Sequence, residues 1–198
     1  MHRYLALTLV LTLTLLGGAT AQAAPILSGV VTLDGTEQLT SNTRVFRDAI
    51  ASTWAAPKVF PGQAVCLSGP CYYETLMLDP SPYQDIRITF EWAAGGVADI
   101  FLVAYLGSFN VADLAANYLG DPGSSVMSSQ SARGPRSFEV IVPPGNNLVL
   151  AFSTVYGDSP GTVNYTVEGF SAVPEPASLL LFGTGLLGAA GRAWRRRQ

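Results

Sequence analysis

Between Asp85 and Trp92 the side chains alternate: Ile86, Ile88, Phe90 and Trp92 are apolar, and Asp85, Arg87, Thr89 and Glu91 are polar. A period of two places each set on one side of an extended chain, so the stretch predicts a half-buried β-strand. The period returns in Phe138, Val140 and Val142, in Leu148, Leu150 and Phe152, and in Val163, Tyr165 and Val167. Val97 to Leu106 is apolar almost throughout, which predicts a central strand covered on both faces. Weaker strands are expected at Gly29–Leu33, near Arg44–Ile50 and at Tyr72–Leu78. Turn residues separate them, as in Asp79-Pro80, Ala94-Gly95-Gly96, Asp121-Pro122-Gly123, Pro143-Pro144-Gly145 and Asp158-Ser159-Pro160-Gly161. Only Val111 to Tyr118 reads as helix, one or two turns in a crossing loop. Short strands with Gly/Pro turns and no internal linker predict a single all-β domain over residues 24–172, an antiparallel β-sandwich. A chain of about 150 residues buries roughly 68–70% of its unfolded surface, so one domain suffices.

Two apolar stretches fall outside this pattern, one at each end. Arg3 precedes a run from Leu5 to Leu16 interrupted only by Thr8, Thr12 and Thr14, and Ala21-Gln22-Ala23 follows Gly17 and Gly18. A cation, an apolar run and an A-x-A site make residues 1–23 a secretory signal helix, cut ahead of Ala24. The run falls short of the roughly 17–25 residues that span a bilayer, which favours cleavage over anchoring. At the other end, Pro174-Glu175-Pro176 precedes the uncharged residues Ala177 to Gly191, then Arg192, Trp194, Arg195, Arg196 and Arg197. As a helix the uncharged stretch rises about 22 Å at 1.5 Å per residue, a short transmembrane helix for a core of about 30 Å. Trp194 at the interface and snorkelling arginines extend its reach. The arginines hold that end in the cytoplasm, so residues 24–176 face outward.

The order of Pro174-Glu175-Pro176, an apolar span and a basic stop resembles the PEP-CTERM protein-sorting signal of Gram-negative bacteria. The resemblance implies that residues 173–198 are recognised by an exosortase, a membrane-embedded cysteine transpeptidase-like enzyme, and removed during export across the inner membrane. The membrane contact is then transient, and the destination is the cell surface or extracellular matrix. Within the domain, TWAAPKVFPG (Thr53–Gly62), AYLGSFNVADLAANYLGD (Ala104–Asp121) and SFEVIVPPGNNLVL (Ser137–Leu150) are similar to the bacterial pre-peptidase C-terminal domain family. That similarity implies a jelly-roll-like sandwich of the kind appended to exported enzymes and adhesins. Related modules can bind calcium or matrix polymers.

The chemistry left to the exported part is narrow. The one histidine is His2, inside the signal, so cleavage leaves no Ser-His-Asp triad, Cys-His dyad or histidine metal site. Residues 24–172 carry six basic and thirteen acidic residues, a net charge of −7 against −3 for the whole chain. An acidic surface of this kind excludes electrostatic nucleic-acid binding. Cys66 and Cys71 are the only cysteines, and an oxidising compartment predicts a disulfide between them. A redox pair is the alternative, but the spacing is C-x4-C rather than C-x2-C.

Glu74, Asp79, Asp85, Glu91, Asp99, Asp121, Glu139 and Asp158 offer carboxylates, with no motif singling out an acid–base pair. Asp99, Asn110, Asp113, Asn117 and Asp121 are oxygen ligands of the type calcium uses, without EF-hand spacing. Trp54, Tyr72, Tyr73, Tyr83 and Tyr156 offer rings for stacking on sugars. No catalytic residue or metal ligand is assigned. The sequence reads as a non-enzymatic exported surface or matrix protein. The alternative is a calcium-dependent or carbohydrate-binding module acting on exopolysaccharide.

Overall fold

The structure, a computed structural model, describes residues 23–66, 68–93, 99–126, 134–157 and 161–170. Its strands are β1 (Ala23–Leu33), β2 (Thr43–Val45), β3 (Gln63–Val65), β4 (Tyr73–Leu78), β5 (Asp85–Trp92), β6 (Ile100–Leu106), β7 (Tyr118–Gly120), β8 (Arg136–Ile141), β9 (Leu148–Thr154) and β10 (Gly161–Phe170). Among the described residues they form two four-stranded sheets, ordered β1-β10-β5-β8 and β4-β9-β6-β7, and a small β2-β3 pair. Every pairing is antiparallel. Apart from β6 to β7, each step along the eight principal strands crosses from one large sheet to the other. That is the connectivity of two nested Greek keys, a jelly roll. Residues 23–171 form a compact unit.

The alternation read in the sequence decides which face meets which. Ile86, Ile88 and Phe90 on β5, Phe138 and Val140 on β8, and Val163, Tyr165 and Val167 on β10 point inward from the first sheet. Ile100, Leu102 and Ala104 on β6 and Leu148, Leu150 and Phe152 on β9 meet them from the second. Each fully buried large apolar side chain contributes roughly 1.5–3 kcal/mol relative to exposure. The other face of β6 and β9 is buried too. Phe101, Val103, Tyr105, Val149 and Ala151 form a second core under Leu39, Val45, Leu114 and both cysteines. This second layer is why β6 and β9 read as continuous apolar runs.

The disulfide expected between Cys66 and Cys71 is present and lies in this outer core. Asn42 binds both ends of the crosslinked turn: its carbonyl accepts the Cys66 N–H at 2.9 Å, and its Oδ1 accepts the Cys71 N–H at 3.2 Å. Arg44 is buried beside it, donating from Nε to Val155 O at 3.3 Å and from Nη1 to Val45 O at 2.9 Å. Burial lowers its pKa, with Arg47 adding repulsion.

The helix expected at Val111–Tyr118 is not formed. Asn110 Oδ1 accepts the Ala112 N–H at 3.0 Å and Asp113 Oδ1 accepts the Ala115 N–H at 3.1 Å. Such local side-chain bonds turn the backbone instead of letting a helix propagate, and Tyr118 already belongs to β7. The strand expected near Arg44–Ile50 is short and ends at Val45. The signal helix and the C-terminal transmembrane helix lie outside the described residues, among which no helix is long and apolar enough to cross a membrane.

Candidate functional site

The loop around Ser52, the end of β7 at Asp121 and the edge strand β8 at Glu139 meet at one edge of the sandwich. The Ser52 N–H donates to Asp121 O at 2.9 Å, and the Glu139 N–H on β8 donates to Ser52 O at 3.0 Å. The loop between β2 and β3 is thereby laced to the end of β7 and to the edge strand β8. Gly120 and Gly123 let the chains approach: a Cβ on Gly120 would lie 2.3 Å from Ser52 Oγ, and one on Gly123 2.3 Å from the Ile50 nitrogen. Gly123 also has φ +71°, which favours glycine.

At the centre of this junction sits a buried ionic cluster. Lys58 Nζ donates to Asp121 Oδ1 at 2.7 Å, to Asp48 Oδ1 at 2.6 Å and to Ile50 O at 2.7 Å. The Lys58 side chain is 6% exposed and that of Asp121 0%. The Gly123 N–H donates to the same Asp121 oxygen at 2.6 Å, and the Tyr118 hydroxyl donates to Oδ2. Phe60 and Tyr105 pack edge-on against the Tyr118 ring. Burial raises the pKa of Tyr118, and its hydrogen bond to Asp121 and that residue's charge raise it further. Tyr105 is raised chiefly by burial and then by the same carboxylate. Asp48 is half-buried, which raises its pKa, but the hydrogen bonds from Lys58 and the Ile50 N–H together with the Lys58 charge outweigh this and leave it below the usual value.

A second cluster lies on the outer face of the first sheet. Arg87 on β5 pairs with Glu139 on β8, Nη2 to Oε1 at 2.9 Å. Its guanidinium stands over the rings of Phe170 and Trp54, 4.8 and 5.4 Å from their centroids. Trp54 meets Phe170 edge-on at 4.7 Å. It donates from Nε1 to Ile86 O and from its backbone N–H to Glu139 Oε2, both at 3.3 Å.

The residues proposed from sequence scatter between roles. Asp79 closes a turn by accepting the Ser81 N–H at 2.9 Å. Asp85 is half-buried and Glu91 exposed on the outer face of β5. The set weighed for calcium is largely committed to other bonds: Asn110 and Asp113 hold turns, Asn117 donates to Ser108, and Asp121 holds Lys58. Among the described residues no three His, Cys, Asp or Glu side chains group as a metal site. Of the rings weighed for stacking, Tyr73 packs on Phe109 at 5.2 Å and Tyr156 against the outer core. Tyr83 packs against the inner core. Ala23 and Ala24 open β1 opposite Phe170 and Gly169. Ala21, Pro174, Glu175, Pro176, Arg192, Arg195, Arg196, Arg197 and Asp158 lie outside the described residues.

Lys58 was the residue that pattern reading passed over. One signal marks it: it is the only lysine among eleven basic residues.

An antiparallel β-sandwich of two four-stranded sheets is thus the class of domain. Beyond it, residues 172–197 match the profile of the PEP-CTERM protein-sorting motif, so the chain carries that motif, which indicates export and sorting to the cell surface. No curated protein matches the chain. Among solved structures, the enzymatically active domain of bacteriophage CBA120 tailspike protein 4 is 12% identical, with a TM-score of 0.33 over 77% of this chain. The chain spans only 19% of that protein's length. The CBM35 module from Cellvibrio japonicus Abf62 is 11% identical, with a TM-score of 0.29 over 72% of this chain and 95% of its own. The K1 cleaved adhesin domain of Lys-gingipain from Porphyromonas gingivalis is 14% identical, with a TM-score of 0.32 over 79% of this chain and 100% of its own.

Proposed function

We propose that the chain is a non-enzymatic surface or extracellular-matrix protein, sorted by an exosortase through residues 173–198. The sorting motif at residues 172–197 is the observation that carries this reading. Two hollows lined by described residues hold about 10 and 30 Å³, room for a water or so. The sandwich is read as a relative of pre-peptidase C-terminal domains, on the three sequence segments similar to that family.

C-terminal peptide mapping of the surface fraction tests the sorting. The expected product has lost Arg195–Arg197; their retention on the surface form would overturn processing. Incubation of the domain with host exopolysaccharide tests the absence of catalysis, with release of oligosaccharides as the contrary result.

The cluster of Arg87, Glu139, Trp54 and Phe170 favours a second reading, a carbohydrate-binding module. Half-buried aromatic rings beside a charged pair are the chemistry that stacks on and hydrogen-bonds a sugar. Pull-down of exopolysaccharide by the domain, weakened at least several-fold by Trp54→Ala and insensitive to calcium chelation, is the outcome it expects.

A further inference from the structure

We propose that Lys58 and Asp121 condense into an intramolecular isopeptide bond. Their side chains are 6% and 0% exposed, with Nζ lying 2.7 Å from Oδ1. Amide formation between an amine and a carboxylate is disfavoured in water. Here the reacting groups are already in contact, and a protein interior excludes the water that would reverse the reaction.

The groups that the step requires are in place. Asp48 Oδ1 lies 2.6 Å from Nζ and accepts protons from the ammonium. The freed amine attacks Cγ of Asp121. Oδ1, held by the Gly123 N–H at 2.6 Å, carries the developing negative charge and becomes the amide oxygen. Oδ2 accepts from the Tyr118 hydroxyl and is the leaving oxygen. The Tyr118 hydroxyl holds that oxygen by its hydrogen bond as it leaves, and the protons that Asp48 takes from the ammonium depart with it. The new bond is Nζ–Cγ and the broken one Cγ–Oδ2. Two ammonium protons leave with Oδ2 as one water, and the opposite charges of Lys58 and Asp121 are cancelled. The step consumes no oxidant, nucleotide or metal.

The choice of residue is an independent observation. Ten of the eleven basic residues are arginine, yet the cation between these two carboxylates is the single lysine. For a purely ionic contact the planar guanidinium is the better partner of carboxylates, whereas a lysine amine, once deprotonated, is a nucleophile. The bond would fasten the loop before β3 to the end of β7 covalently.

Tryptic mapping of the full chain, after disulfide reduction, tests it. Trypsin cuts after Arg47, Arg87 and Arg133, and in an unmodified chain also after Lys58. The expected product is a branched species in which residues 48–87, uncut at Lys58, are joined to residues 88–133 and lighter than their sum by one water. Fragmentation should place the branch at Lys58 and Asp121. In Lys58→Arg the branched species should vanish, and in Asp48→Asn it should form at least tenfold more slowly. Full recovery of a free 48–58 peptide from the wild-type chain would overturn the proposal whatever the variants do. So would a branched species that survives in Lys58→Arg.

Discussion

Gly169 lies so close under the ring of Tyr83 that a Cβ added to it would stand 2.2 Å from Tyr83 Cγ. The residue sits in the middle of a sheet, between β1 and β5, so the requirement is for space and not for an unusual backbone. Gly169→Ala should therefore cost about 1–3 kcal/mol, as overpacking does. Urea denaturation checks this, and the loss should shrink when Tyr83→Ala is the background. Gly29→Ala should cost less, because the added atom first meets the Tyr165 hydroxyl at 2.9 Å, the far end of a side chain.

The outer core predicts a second result. Phe101 and Phe90 are both fully buried, one on each side of the β6 layer's two faces. If the loops over β6 and β9 form a true core, Phe101→Ala should lose about 3–5 kcal/mol, as should Phe90→Ala. Thermal melting of the two variants side by side checks it. A loss under 1 kcal/mol at Phe101 would reduce the second layer to a loose cover.

Reduction of the disulfide gives a third. Closing the short Cys66–Cys71 ring removes unfolded-chain entropy worth roughly 2 kcal/mol. The double variant Cys66→Ser/Cys71→Ser should lose about that amount in chemical denaturation. Native protein treated with iodoacetamide without reductant should gain no alkyl group.

A fourth concerns alkaline pH. Tyr105 and Tyr118 have pKa values raised above the ordinary 10.0, chiefly by burial. Above about pH 10 the unfolded chain releases protons that the folded chain keeps, so stability must fall as pH rises. Spectrophotometric titration should show both phenols remaining protonated until the domain unfolds. Tyr118→Phe should flatten the alkaline limb of the stability profile.

Strands that bury one face were legible from residue type alone, because alternation is local: Ile86, Ile88 and Phe90 turned inward as their spacing required. The continuous apolar run around β6 was legible for the same reason, and its two cores explain it. Residues 111–118 misled because helix propensity there is overruled by the Asn110 and Asp113 side chains, which bond the backbone at short range. The three-residue strands β3 and β7 are too short to display a period. Asp121 looked like a turn former, and its bond to the Gly123 N–H confirms that role. Its pairing with Lys58, 63 positions away, depends on topology that no local pattern carries.

Among the described residues the edge strand β1 has β10 as its one neighbour in the sheet, and β10 is the last strand. β1 therefore waits longest for its partner: the first sheet closes only when residues 161–170 reach the amino-terminal strand across the rest of the domain. A pairing so distant in sequence is intrinsically slow to form, and until it does β1 is an uncovered edge open to other chains.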